Sequence, residues 1–203
     1  MSSMNGVRTD IPTASIPRNH IWSISLRDAI WLTFCGAAIA LSKFIERIPL
    51  HLPGHSGVVW MAILVLARGM VPWGGAASLV GIISGLLAAL IGEAKEGPLS
   101  FFKFLAPGVT LDLFMLLIPG FVRHSWSIAV VAALAYVTKL MTSYVLGLAM
   151  GVPHTFLILG LRYAVVFHLV FGAVGGWLGW ILVCRFSRNF RANNIGRADR
   201  VKD

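Results

Sequence analysis

The stretch from His51 to Gly57, "HLPGHSG", holds two histidines four residues apart, with a Pro-Gly pair between them and a long apolar run on either side. Imidazoles in this setting suggest three kinds of chemistry. Together with His154 from "GVPHT", His51 and His55 would give a metal ion three nitrogen ligands from two loops. As hydrogen-bonding groups they would close a gate over a bound molecule. As interfacial polar groups they would flank a hinge turned by Pro53 and Gly54. The Pro-Gly pair keeps His51 and His55 off a common helical face. The zinc geometry of H-E-x-x-H is therefore missing, along with its Glu. All three readings stay open at this level.

Ionisable groups inside apolar runs are expensive to bury, which makes each a candidate for function. Asp112 lies in the middle of one run, Lys139 in the next, and Arg162 and His168 in the last. Asp112 is expected to pair internally with Lys139 or Arg162, or to face a bound molecule. Lys103, Arg162 and the loop histidines form a cationic set suited to a carboxylate or phosphate. Trp60, Phe101, Phe102 and Tyr163 offer flat faces to a ring, although membrane tryptophans also serve as interface anchors. Enzymatic readings are weak. Ser84 in "GIISG" lacks the spacing of G-x-S-G, no His-Glu protease motif occurs, and "GxxxxGK[ST]" is absent. The chain is expected not to be an enzyme, and any use of ATP would come from a partner.

The elements that must position these groups are apolar. Of the 203 residues 57% are hydrophobic and 12% charged, and the mean hydropathy is +0.80, a composition of an integral membrane protein. Pro, Gly and charge clusters divide the chain into six spans of an all-α, single-bundle membrane domain. These run over 28–47, 57–70, 75–91, 101–119, 126–150 and 156–184. The second is short for a span, and the last two are long enough to require tilt. Residues 1–27 have no apolar leader and read as a polar tail, with the first span acting as an uncleaved anchor. Residues 185–203 read as a basic tail able to touch anionic lipid headgroups.

An even number of spans puts both termini on one side. Of 17 Lys and Arg, eleven fall on that side, four (Lys43, Arg47, Lys95, Lys103) on the other, and two (Lys139, Arg162) within spans. The positive-inside rule makes the richer side cytoplasmic, so "HLPGHSG" faces outward. The +9 net charge is mostly this topology signal, and nucleic acid is not an expected partner. Cys35 and Cys184 are expected to be free thiols. Small residues form ridges at Ala77, Gly81, Gly85 and Ala89, at Gly172 with Gly176, at Gly175 with Gly179, and at Gly36 with Ala40. Such ridges let helices approach closely, either within the bundle or against another subunit. Pro107-Gly108 is expected to bend the fourth span.

Six short-looped spans, cytoplasmic termini and a Pro-Gly outer loop after the first span together resemble a known family. It is the substrate-binding (S) component of energy-coupling factor transporters, the ABC-type importers of vitamins and transition metals in prokaryotes. The likeness is strongest along "HLPGHSGVVWMAILVLARGMVPWGGAASLVGIISGLLAALIGEAKEGPLSFFKFLAPGVTLD". The resemblance implies a subunit in a prokaryotic cytoplasmic membrane that captures a scarce solute from outside. Its site would lie in the outer halves of the later spans, under the loop after the first. It implies as partners a membrane scaffold and two cytoplasmic ATPases, with Gly36, Ala37, Ala38 and Ala40 as the scaffold contact. It also implies a candidate binding set of His51, His55, Trp60, Lys103, Asp112, His154, Arg162 and Tyr163. The Met-His amino terminus of nickel and cobalt members is absent from "MSSMNG". A small vitamin-like or anionic organic cargo is therefore expected first, and a metal or tetrapyrrole on His51, His55 and His154 second. No resident cofactor is expected. The alternative is an assembly subunit of a membrane complex, without cargo.

Overall fold

A computed structural model describes residues 24–45, 56–92, 97–117 and 124–199, with the side chains at 43–45, 97, 156 and 188–199 outside that description. Every regular element among them is helical. They are α1 (Leu26–Ile45), α2 (Gly57–Met70), α3 (Ala76–Leu90), a short 3-10 turn (Gly97–Ser100), α4 (Phe101–Leu117), α5 (Ser125–Ala149) and α6 (His154–Asp199).

Local chemistry sets these boundaries. At the start of α1 the Ser25 hydroxyl accepts the Asp28 N–H at 3.1 Å, and Asp28 also suits the positive end of the helix dipole. α2 stops where the Val71 N–H closes on the Ala67 carbonyl and Pro72 follows. α3 and α5 end at glycines in the left-handed region, Gly92 (φ 67°) and Gly151 (φ 81°). α4 continues as helix through Pro107, which is fully buried.

The helices touch in a closed circuit, α1–α3–α4–α5–α6–α2 and back to α1, and α2 also reaches α3, α4 and α5. Small residues set the close approaches. A Cβ at Gly81 would meet the Phe104 carbonyl of α4 at 2.7 Å, and one at Gly108 would meet the Ala77 carbonyl of α3 at 2.5 Å. α6 uses two faces: Gly172 and Gly176 lie on α5, while Gly175 and Gly179 lie on α2. Gly36 of α1 sits against Val80 and Ile83 of α3. The glycine ridges are thus taken up within the chain. Both cysteines are free thiols.

Three helical stretches are long and apolar enough to cross a membrane: Pro98–Leu117, Ser125–Ala149 and Leu157–Ser187. Their exposed surfaces carry Leu116, Leu117, Val130, Val166 and Val170, as expected of a membrane protein whose outward face meets lipid. Six comparable spans were expected, and the lengths differ from that. α2 and α3 have 14 and 15 residues, about 21–23 Å at 1.5 Å per residue, against a hydrocarbon core of about 30 Å. α1 has the length but carries Arg27, Asp28 and Lys43. α6 departs in the other direction. It does not stop near Cys184 but continues to Asp199, because "RFSRNFRANNI" contains no Pro or Gly and is rich in helix-tolerant Arg and Ala.

Candidate functional site

Two polar clusters lie among the helices. The first is at the Met70 end of α2. Gly75, at the N-cap of α3, has no side chain with which to cap that helix. Asp112 of α4 does so instead. Its Oδ1 accepts the Ala77 N–H at 3.3 Å, and its Oδ2 accepts both the N–H and the hydroxyl of Ser78 at 2.7 Å. Arg68 Nε stands 3.0 Å from the same Oδ1, and Nη1 reaches the Val71 carbonyl at 3.5 Å. The Nε–H is not aimed at an acceptor, so the Arg68–Asp112 attraction is Coulombic rather than directional. The expected partners of Asp112, Lys139 and Arg162, are replaced by Arg68. Arg68 falls within the expected second span, in the last turn of α2. The carboxylate therefore holds the α2–α3 turn and α4 together, with most of its acceptor capacity filled.

The second cluster is nearer the Gly57 end of α2. Lys139 of α5 places its Nζ 4.6 Å from the Trp60 ring centroid (α2), 5.4 Å from Tyr136 (α5) and 5.9 Å from Phe104 (α4). Trp60 meets Tyr136 edge-on at 5.3 Å and Phe104 at 5.9 Å. On its other face Tyr136 stacks on His168 of α6, with ring centroids 4.5 Å apart. Two glycines make the slot for Tyr136, because a Cβ at Gly57 would overlap its ring and one at Gly172 would overlap its Cβ. His168 Nδ1 lies 2.8 Å from the Ala164 carbonyl. A carbonyl only accepts, so the Nδ1 that faces it carries a proton.

Trp60 is 1% exposed, and its Nε1 has no hydrogen-bond partner among the described residues. An unsatisfied buried donor costs about 1–3 kcal/mol, and among the described residues Trp31 Nε1 and Ser100 Oγ are unmet in the same way. This cluster therefore combines an ammonium, an unmet N–H, an imidazole and three aromatic faces, contributed by four helices. Such a set can recognise a small polar molecule with a flat part.

The expected site residues are dispersed. Trp60 belongs to the second cluster and Asp112 to the first. Lys103 is half-buried on α4, one residue before Phe104. Arg162 is exposed on α6, and Tyr163 is 70% exposed with its ring against Phe167 at 5.1 Å. His154 is exposed at the start of α6, edge-on to Tyr144 at 6.1 Å. His51 and His55 lie outside the described residues, as do Glu46, Arg47 and 93–96. Among the described residues no three His, Cys, Asp or Glu side chains gather as a metal site. Of the expected scaffold contact, Gly36 and Ala40 are buried, with Gly36 against α3, while Ala37 and Ala38 are half-buried.

Sequence reasoning placed Lys139 and His168 inside spans but left them out of the site, and it missed Tyr136 and Phe104. The spacing of Tyr136 and Lys139, three apart and so on one helical face, was the available signal. Compared with known proteins, the chain matches no family model, no curated protein and no solved structure.

Proposed function

We propose that this chain is a membrane-embedded solute-binding subunit of an importer, of the kind that the S components of energy-coupling factor transporters represent. In this reading all six helices cross a prokaryotic cytoplasmic membrane and both termini are cytoplasmic. The Gly57 end of α2, and with it the second cluster, faces outward. A membrane scaffold and two ATPases complete the importer, and the ATPases alone hydrolyse ATP. The chain itself is neither an enzyme nor the holder of a resident cofactor.

The observation that carries this reading is the Lys139 cluster. A lysine ringed by Trp60, Tyr136 and Phe104, next to a buried N–H with no acceptor among the described residues, is a costly arrangement in a membrane protein interior. A subunit serving only assembly has no use for it. That alternative also relied on glycine ridges, which this chain consumes in its own packing.

Affinity purification of the full chain from its native membrane tests the proposal. A scaffold and two ATPases should copurify, reconstituted vesicles should take up solute only with ATP, and mass spectrometry should find a small molecule retained on the subunit. A chain that retains no molecule and recruits no ATPase would overturn it in favour of the assembly role.

A further inference from the structure

We propose that a groove between α5 and α6 seats one acyl chain of an anionic phospholipid, with the phosphate at the Ser125 end of α5; this rests on α5 and α6 crossing a membrane and is independent of solute capture. The groove has a volume of about 380 Å³. Trp126 lines it toward one end and Leu134 toward the other, and the buried Ala129 and Ala133 with the half-buried Ala173 make its floor. Gly172 and Gly176 bring α6 onto α5, and these alanines are too short to fill the space beside that seam. From Trp126 to Leu134 α5 rises about 12 Å, so the cross-section is on the order of 30 Å² and the width about 6 Å. That admits a hydrocarbon chain but not a helix, which is about 10–12 Å across with its side chains. A chain lying there gains the dispersion contacts that an empty groove forfeits. Lipid tails are as apolar as the lining, so apolarity by itself selects no particular lipid.

Charge at the Ser125 end supplies the selection. Gly176 packs on Ala129 and Ala132, which fixes the relative height of the two antiparallel helices. Counted from the Gly176–Ala129 contact at about 1.5 Å per residue, Trp126 lies about 5 Å toward the Ser125 end and Arg185 about 14 Å. Trp126 is 82% exposed, as suits an interfacial tryptophan at headgroup level. Arg185 is exposed and lies about one headgroup layer further out. It follows the groove residue Val170 by fifteen positions, about 60° from it around α6, so its long side chain can return to the mouth of the groove. His124 is exposed at the same end, and neither α5 nor α6 carries an Asp or Glu before Asp199. A phosphate there meets a cation and no acid on either helix.

Native mass spectrometry of the purified full chain in detergent tests this, with dioleoyl phosphatidylglycerol and dioleoyl phosphatidylcholine as probes. One phosphatidylglycerol should bind per chain, saturably and about fivefold more tightly than phosphatidylcholine, the effect of one cation beside an anionic headgroup. Glycerol phosphate, which has the charge but no chain, should not bind. Arg185→Gln should remove the preference and leave phosphatidylcholine binding unchanged. Ala173→Phe fills the groove and should abolish retention of both lipids. Val170→Trp fills it from a position that is 52% exposed, so it decides on folded protein if Ala173→Phe folds poorly. Val109→Trp, on the exposed side of α4, should bind as the wild type does. The proposal is overturned if the two lipids bind alike and at many sites, as an unselective annulus does, or if Arg185→Gln keeps the preference. It is equally overturned if both groove variants retain phosphatidylglycerol as the wild type does. If they instead abolish a dimer or the copurification of another membrane protein, the occupant is a helix and the lipid assignment fails.

Discussion

At the scale of single residues, Asp112 and Trp60, both buried, have different tasks because their neighbours differ. Asp112 is saturated: two N–H groups, a hydroxyl and the Arg68 guanidinium all converge on it. Asp112→Asn keeps the size but leaves Arg68 as an uncompensated charge, and should cost roughly 3–5 kcal/mol of stability. Adding Arg68→Met to it removes that stranded charge, so the double variant should be more stable than Asp112→Asn alone. Denaturant unfolding in detergent measures both, and strictly additive losses would show that the two residues are not coupled. Trp60 differs: its N–H is unmet among the described residues, so Trp60→Phe opens a small cavity but also removes a donor that costs about 1–3 kcal/mol, and it should lower the thermal midpoint much less than Trp60→Leu does. Thermal unfolding in detergent compares the two, and equal losses would show that the indole N–H has an acceptor. None of this partnering could be read along the chain. Arg68, Lys139 and Arg162 are all cations distant from Asp112 in sequence, and only the packing of α2 against α3 and α4 decides among them.

At the scale of helices, small residues decide which elements meet and at what height. Gly81 lies against the Phe104 backbone, so Gly81→Leu drives a side chain into α4 and should cost more than the roughly 1–3 kcal/mol of ordinary overpacking. A tenable test of the α1 contact follows from the same geometry. Gly36 is occupied by α3, whereas Ala37 and Ala38 share a less buried face with the exposed Phe34 and Leu41. If that face meets a scaffold, Ala38→Trp should fold and bind solute normally yet fail to copurify with the ATPases, while Gly36→Trp should unfold the chain. Normal copurification of Ala38→Trp would exclude the face. The helices themselves were legible in sequence, because Pro72, Gly75, Gly92 and Pro153 interrupt apolar runs where the backbone does turn. The end of α6 was not, since a polar Arg- and Ala-bearing stretch continues a helix as readily as it leaves one. The site was legible only in part. Spacing puts Tyr136 and Lys139 on one face, but it does not say that Trp60, Phe104 and His168 close round them from three other helices.

At the scale of the whole molecule, the charge count that sets topology has to be revised by one residue. Arg68, one of the eleven, lies in the last turn of α2 and pairs with Asp112, so the balance becomes ten against four (eleven less Arg68), which is still consistent with the proposed cytoplasmic termini. The short α2 and α3 are the weak point of a six-span reading, because each falls several ångströms short of an average bilayer core. They are also the helices with buried Ala and Gly against α1, α4 and α6, so neighbours rather than lipid cover much of their length. A short helix in that position can cross where the surrounding helices thin the bilayer locally. Reporter fusions decide the matter. Alkaline phosphatase inserted in the 93–96 segment or at Gly151 should be active, and a fluorescent reporter should light when fused at either terminus or inserted at 71–75 or 118–123. If α2 and α3 instead form a re-entrant pair that does not cross, the segment at 46–55 and the turn at 71–75 will report the same side. That arrangement moves only the 71–75 turn and leaves the directions of α4, α5 and α6 unchanged, so the side of the Lys139 cluster depends on α1 crossing rather than on α2 and α3.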